Sequence, residues 1–154
     1  MDHTLQLTGA AIRSFLEPHW RAWHALRGEA PAIPSAGVCG RSSLFLAQVL
    51  RRDLHLDARW RSGAPREDAV CGFFDGVEWR GHAWVECGGW LVDLTLDQFG
   101  GPPVLVTCAD DNRYRAGRDV ALPAFRAERR RTVQQLWPAW RLSPLRDSVG
   151  ALGF

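Results

Sequence analysis

Two alternating runs, HAWVEC (82–87) and WLVDLT (90–95), flank Gly88 and Gly89, and no other feature of this sequence constrains the fold as tightly. A polar–apolar period of two reads as half-buried strand, and two glycines between such runs predict a two-residue hairpin turn. That turn sets Cys87 opposite Trp90, Trp84 opposite Asp93 and His82 opposite Thr95. Strand side chains alternate between faces, so His82, Trp84, Glu86, Leu91, Asp93 and Thr95 are expected to share one face. His82 and Asp93 become diagonal neighbours, roughly 7–8 Å apart at the backbone and within side-chain reach.

The chain before the hairpin has a different period. Ala11, Ile12, Phe15, Leu16, Trp20, Trp23 and Leu26 predict a helical segment over 8–27, interrupted or restarted at Pro18. Residues 28–37, GEAPAIPSAG, form a loop rich in Pro, Gly, Ser and Ala. In CGRSSLFLAQVLRRD (39–53), Arg41, Gln48 and Arg52 fall within about 20° of one line on a helical wheel, and nearly everything else is apolar. This segment reads as a helix buried on most sides, with Cys39 at its N-terminal end. Leu56, Ala58 and Trp60 alternate with Asp57, Arg59 and Arg61 in a half-buried strand, and residues 62–69 form a polar loop.

VCGFFDGVEW (70–79) reads as a strand or a hairpin turning at Asp75-Gly76, and PVLVTC (103–108) as a short strand. One more helix is expected over 121–137, followed by a Pro-containing, partly apolar tail. Helices first and antiparallel strands afterwards define the α+β class. The sequence has no internal repeat and no low-complexity tract. It reads as a single domain over 1–154, with a core over 37–108, an N-terminal helical segment over 8–27, and a C-terminal helix and tail over 121–154.

Composition excludes several classes. At 154 residues and 46% hydrophobic, the chain can bury a core without disulfide or metal staples. No stretch approaches about 18 uncharged apolar residues, so no membrane span is expected. The first residues lack a basic region followed by an apolar one, so no secretion signal is read and a cytoplasmic location is expected. A net charge of +2 is too small to indicate nucleic acid on its own. All 19 basic residues are Arg, which leaves no Lys for a Schiff base or a phosphate loop. The 8 Trp exceed what a core of this size needs.

The cysteines are Cys39, Cys71, Cys87 and Cys108, with no CxxC pair and no Cys/His pair at zinc-finger spacing. A metal site is not expected, nor a disulfide framework in a reducing compartment. Cys71, Cys87 and Cys108 lie in or beside strand-like runs without a His partner, and read as inert core thiols. Cys39 differs. A helix N-terminus stabilises a thiolate through its unpaired N–H groups and dipole, and the same groups suit an oxyanion. Gly37 and Gly40 leave room for a substrate or another backbone to approach.

A carboxylate on one imidazole nitrogen fixes the tautomer and leaves the other nitrogen to take a proton from a thiol. Cys39, His82 and Asp93 meet these demands together. Singly, each has a plainer reading: a small residue at a helix start, a half-buried strand histidine, and a surface charge near a turn.

The blocks GVCGRSSLFLAQVL, GHAWVE and WLVDLT resemble the transglutaminase-like superfamily, a branch of the papain-like cysteine-enzyme fold, over residues 37–98. The chain is also similar to the small leader peptidases that mature lasso peptides. The resemblance implies Cys39 as nucleophile, His82 as general base and acid, and Asp93 as orienting carboxylate. It implies acyl transfer through a thioester on a peptide or protein substrate, with hydrolysis the first expectation. Amide formation with an amine acceptor, glutamine deamidation, and a non-catalytic peptide-binding domain are the alternatives. No metal and no organic cofactor is implied.

Two departures stand out. The segment between His82 and Asp93 is short, and Asp97-Gln98-Phe99 is not required by the superfamily pattern. No glutamine lies between Gln6 and Cys39, so Gln98 is a candidate oxyanion amide from the other side, or simply a polar residue ending a strand. Trp84 is a candidate wall of the site, or core packing. Glu86 reads as structural or exposed.

Arg113, Arg115, Arg118, Arg126 and Arg129 to Arg131 make the C-terminal third basic. Asp110, Asp111, Asp119 and Glu128 interleave with them, so this region reads as a helix with a solvated face rather than a nucleic-acid surface. Trp137 and Trp140, flanking Pro138, are expected to pack the tail onto the domain.

Overall fold

The structure is a computed structural model that describes residues 1–66, 70–117 and 123–152. The expectations for Arg118, Asp119, positions 67–69 of the polar loop and the helix start at 121 and 122 lie outside the described residues.

Helix α1 spans Asp2–Leu26 and α2 spans Cys39–Arg52. Strands β1 (Ala58–Gly63), β2 (Gly72–Phe74), β3 (Trp79–Arg80), β4 (His82–Cys87) and β5 (Trp90–Asp93) follow. A 3-10 turn over Leu96–Phe99 leads to β6 (Leu105–Cys108), β7 (Tyr114–Arg115), α3 (Pro123–Arg141) and α4 (Pro144–Gly150). The main sheet is antiparallel in the order β1-β4-β5-β6, and a smaller antiparallel sheet runs β3-β2-β7. The class is α+β.

The hairpin has the expected register: Cys87 faces Trp90, Glu86 faces Leu91 and Val85 faces Val92. Gly88 and Gly89 both carry positive φ, 57° and 83°, the pairing that a two-residue turn matched to strand twist requires. The two faces of this sheet have different neighbours. Val85, Cys87 and Val92 pack with Leu5, Ile12, Leu16 and Trp20 of α1 and with Phe45, Leu46, Val49 and Leu50 of α2. Trp84 and Leu91 pack on the opposite face with Phe73 of β2, Leu96 and Tyr114 of β7. Helices therefore cover one side, and the small sheet covers the other at the His82 end.

Several expectations are corrected. Helix α1 begins at Asp2 and continues through Pro18. Pro18 and Ser14, whose carbonyl loses its helical partner there, are both exposed, so that carbonyl is open to solvent. The buried stripe of Leu5, Ile12, Leu16 and Trp20 holds the helix together across the break. Strand β7, with its short two-residue ladder to β2, carries no period that a sequence can display.

Helix α3 runs past Pro138, which is exposed, to Arg141. The tail folds into α4, capped by the Ser143 hydroxyl accepting from the Leu145 N–H. Trp140 is fully buried and donates to Asp53 Oδ2 at 2.8 Å, so the tail does pack onto the domain. Arg146 completes this latch, donating to Asp53 Oδ1 at 2.9 Å. Cys71 and Cys87 are buried, but Cys108 is exposed at the end of the edge strand β6 and is not a core thiol. All four cysteines are free. No helix among the described residues is long and apolar enough to cross a membrane.

Candidate active site

The loop before α2 turns tightly, with the Ala36 N–H donating to Ile33 O and the Val38 N–H donating to Ser35 O. Gly37 takes φ +73°, and Val38, buried at 1% exposure, anchors the helix start. No side chain caps the first turn, so the leading N–H groups of α2 stay available beside Cys39. Two serines lock this turn to its neighbours. Ser42 Oγ donates to Val38 O and accepts from the indole of Trp20 at 2.9 Å. Ser43 Oγ donates to Cys39 O at 2.6 Å and accepts from the indole of Trp60, on β1, at 2.8 Å. Helix α1 and strand β1 thus both fix the backbone that carries the thiol.

His82 begins β4, and its side chain is wholly buried, as is that of Asp93 at the end of β5. Its Nε2 donates to Asp93 Oδ2 at 2.6 Å, the diagonal contact expected from the hairpin register. The same carboxylate accepts from the Tyr114 hydroxyl at 2.8 Å on Oδ2 and from the Thr95 N–H at 2.9 Å on Oδ1. Burial opposes charge on His82. The adjacent Asp93 carboxylate outweighs it through charge and hydrogen bonding, and with a contribution from Cys39 the imidazolium's pKa stands at about 10. Tyr114 is pushed well above the ordinary phenol range, first by burial and then by Asp93, so it remains a neutral donor.

Aromatic rings enclose the imidazole. Phe99 meets it edge-on at 5.1 Å, Phe73 lies at 5.9 Å, and Trp84 is near-parallel at 6.4 Å. Trp84 backs His82 from the small-sheet side and does not line the cavity that holds Cys39. Arg13 of α1 clamps the turn bearing Phe99, donating to Asp97 on both carboxylate oxygens and to Leu94 O and Pro103 O. Asp97, extra to the resemblance pattern, therefore secures the segment that covers His82.

Cys39 and His82 line one cavity of about 180 Å³, together with Gly40, Trp60, Gly63 and Gly81. Arg129 of α3 lines it too. A Cβ on Gly40 would run into the Arg129 guanidinium, so glycine there is what lets α3 approach the start of α2. Arg41 pairs with Glu128 at 3.3 Å and lies over the Trp23 ring at 5.2 Å, which sets the height of α3. Burial lowers the pKa of Arg129 to about 10, opposed by the attraction of Cys39, so the guanidinium is charged at neutral pH beside the sulfur.

Of the sequence-predicted site residues, Cys39, His82 and Asp93 come together. Gln98 does not join them: its amide donates to Thr95 O at 2.9 Å, and it is not part of the Cys39 cavity wall. One N–H of the Gln98 amide is thus engaged within the 3-10 turn over Leu96–Phe99. Glu86 is half-buried and pairs with Arg61 at 3.3 Å. Sequence reasoning does not single out Tyr114, Phe99, Ser43, Trp60 or Arg129 as site residues; the signals it holds are the Trp excess and strand period for Trp60 and the basic run for Arg129. Among the described residues, no group of three or more His, Cys, Asp or Glu is arranged to hold a metal.

The arrangement can exchange a proton between a thiol and an imidazole whose other nitrogen is fixed by a buried carboxylate, next to helix N–H groups and a guanidinium. No protein-family model, curated protein or solved structure matches this chain.

Proposed function

We propose that this chain is a cysteine-dependent acyl-transfer enzyme with a transglutaminase-like, papain-like fold, acting on a peptide or protein amide. The observation that carries this reading is His82, held through Nε2 by buried Asp93 while sharing a cavity with Cys39. Cys39, as thiolate beside the His82 imidazolium, attacks the carbonyl carbon, forming a C–S bond and an oxyanion. The free N–H groups of α2 and the Arg129 guanidinium are near enough to the thiol to favour that negative charge. Collapse breaks the C–N bond, and the imidazolium gives its proton to the departing amine, leaving a thioester on Cys39.

Water then attacks the thioester while His82 takes its proton, the C–S bond breaks, and a carboxylic acid leaves. An amine in place of water would give a new amide; hydrolysis is the reading adopted. The similarity of the Cys39 and HAWVE blocks to small leader peptidases points to a peptide substrate.

The test is a trapped intermediate. Incubation with a peptide library and rapid acid quench should give a mass adduct confined to Cys39, absent in Cys39→Ala and accumulating in neither His82→Ala nor Asp93→Ala. Adducts spread over Cys39 and Cys108 alike would remove the proposal.

A further inference from the structure

A second cavity, of about 340 Å³, shares Trp60 and Arg129 with the Cys39 cavity. Six arginines line it: Arg51 of α2, Arg59 and Arg61 of β1, and Arg126, Arg129 and Arg130 of α3. Leu44 and Trp60 complete the wall among the described residues. Asp57 and Glu86 offset Arg59 and Arg61 from outside it, at 3.5 Å and 3.3 Å. The α3 arginines are therefore not merely a solvated helix face. They converge with three others from two separate elements on one concave surface.

Gathering like charges on one concave surface is unfavourable by itself. An anionic ligand reverses that cost, and guanidinium forks match carboxylates in bidentate geometry. The cleft has the size of a few amino-acid side chains, with one aromatic ring, Trp60, among its described lining residues. A single-stranded nucleic acid would want a long groove with several stacking platforms. The thiol cavity adjoins the cleft at the shared residues Trp60 and Arg129, which favours a ligand that also reaches Cys39.

We infer that the arginine cleft is a substrate subsite for an acidic peptide segment, holding Asp or Glu carboxylates while an adjoining peptide bond lies against Cys39. This rests on the acyl-transfer reading for its purpose, but its binding is measurable without catalysis. A short fluorescein-labelled Glu-rich peptide, its Gln-for-Glu analogue and a single-stranded oligodeoxynucleotide of equal charge serve as probes, read by anisotropy. The Glu peptide should bind, weaken as salt rises, and outbind its Gln analogue by about tenfold or more.

Arg126→Gln and Arg130→Gln, checked for retained fold by circular dichroism, should each lose several-fold in affinity. Arg141→Gln, exposed and outside the cleft, should not. Bound Glu peptide should slow iodoacetamide labelling of Cys39 while exposed Cys108 reacts at an unchanged rate. Absence of binding, binding without protection of Cys39, or tighter binding of the oligonucleotide through the same arginines would each overturn the inference. Equal reactivity of Cys39 and Cys108 in the free protein would instead count against acyl transfer, with the anisotropy result still standing.

Discussion

His82 and Asp93 meet at 2.6 Å with no part of either side chain exposed to solvent. An ion pair so buried is unfavourable unless hydrogen bonds satisfy it, and Tyr114 and Thr95 supply them on the carboxylate side. Replacing Asp93 with Asn keeps the shape but removes the charge that supports the imidazolium. Labelling of Cys39 by iodoacetamide at about pH 6.5, and any peptide turnover, should fall by on the order of a hundredfold or more. A rate within a factor of a few of the parent would show that His82 does not act on Cys39.

Tyr114→Phe separates support from chemistry. It deletes one hydrogen bond to Asp93 Oδ2 and leaves the His82 contact in place. Loss of stability should be about 1–2 kcal/mol by urea unfolding. The Cys39 reaction should drop by less than about tenfold. A collapse in rate as deep as that of Asp93→Asn would make Tyr114 part of the proton-transfer apparatus.

Stability should depend on alkaline pH through His82. Its pKa in the folded chain, about 10, lies above the ordinary 6.5. The contribution is therefore complete below about pH 6.5 and is lost as pH rises through about 10, by on the order of a few kcal/mol in all. Urea midpoints measured from neutral to alkaline pH should fall in the parent and flatten in His82→Gln. Parallel profiles for the two proteins would rule this out.

Ser43 couples β1 to the carbonyl of Cys39. Ser43→Ala leaves the Trp60 indole without its partner and should cost about 1–3 kcal/mol. Selective reactivity of Cys39 should fall with it, and Trp60→Phe should reproduce the reactivity change without orphaning a donor. Unaltered labelling in both variants would mean that the first turn holds itself.

Gly40→Ala tests the position of Arg129. The group in the way is the far end of a flexible side chain, so the fold should survive with a change of about 1 kcal/mol or less. Displacing the guanidinium should slow thioester formation, and mass spectrometry should show less adduct at equal times. An unchanged adduct rate would take Arg129 out of the reaction.

The hairpin and α2 were legible because their information is local. A period of two with Gly88-Gly89 sets the register, and a nearly all-apolar wheel starting at Cys39 sets the buried helix. From these alone His82 and Asp93 could be placed in contact. Pro18 does not break the helix, because a buried stripe that local propensity cannot register spans it, and α4 is held by an equally non-local latch, Asp53, far back in the chain.

What the sequence determined by itself was therefore which candidate residues come together: one cysteine at a helix start and a histidine and aspartate on one strand face. Only the tertiary structure decided what surrounds them. Tyr114, Phe99, Trp60 and Arg129 arrive from elements with no shared period, brought in when two cores close on opposite faces of one sheet. The physical reason is range. Backbone alternation and helical phase act over a few residues, whereas the partner of a buried carboxylate or thiol is chosen by packing between segments distant in the chain.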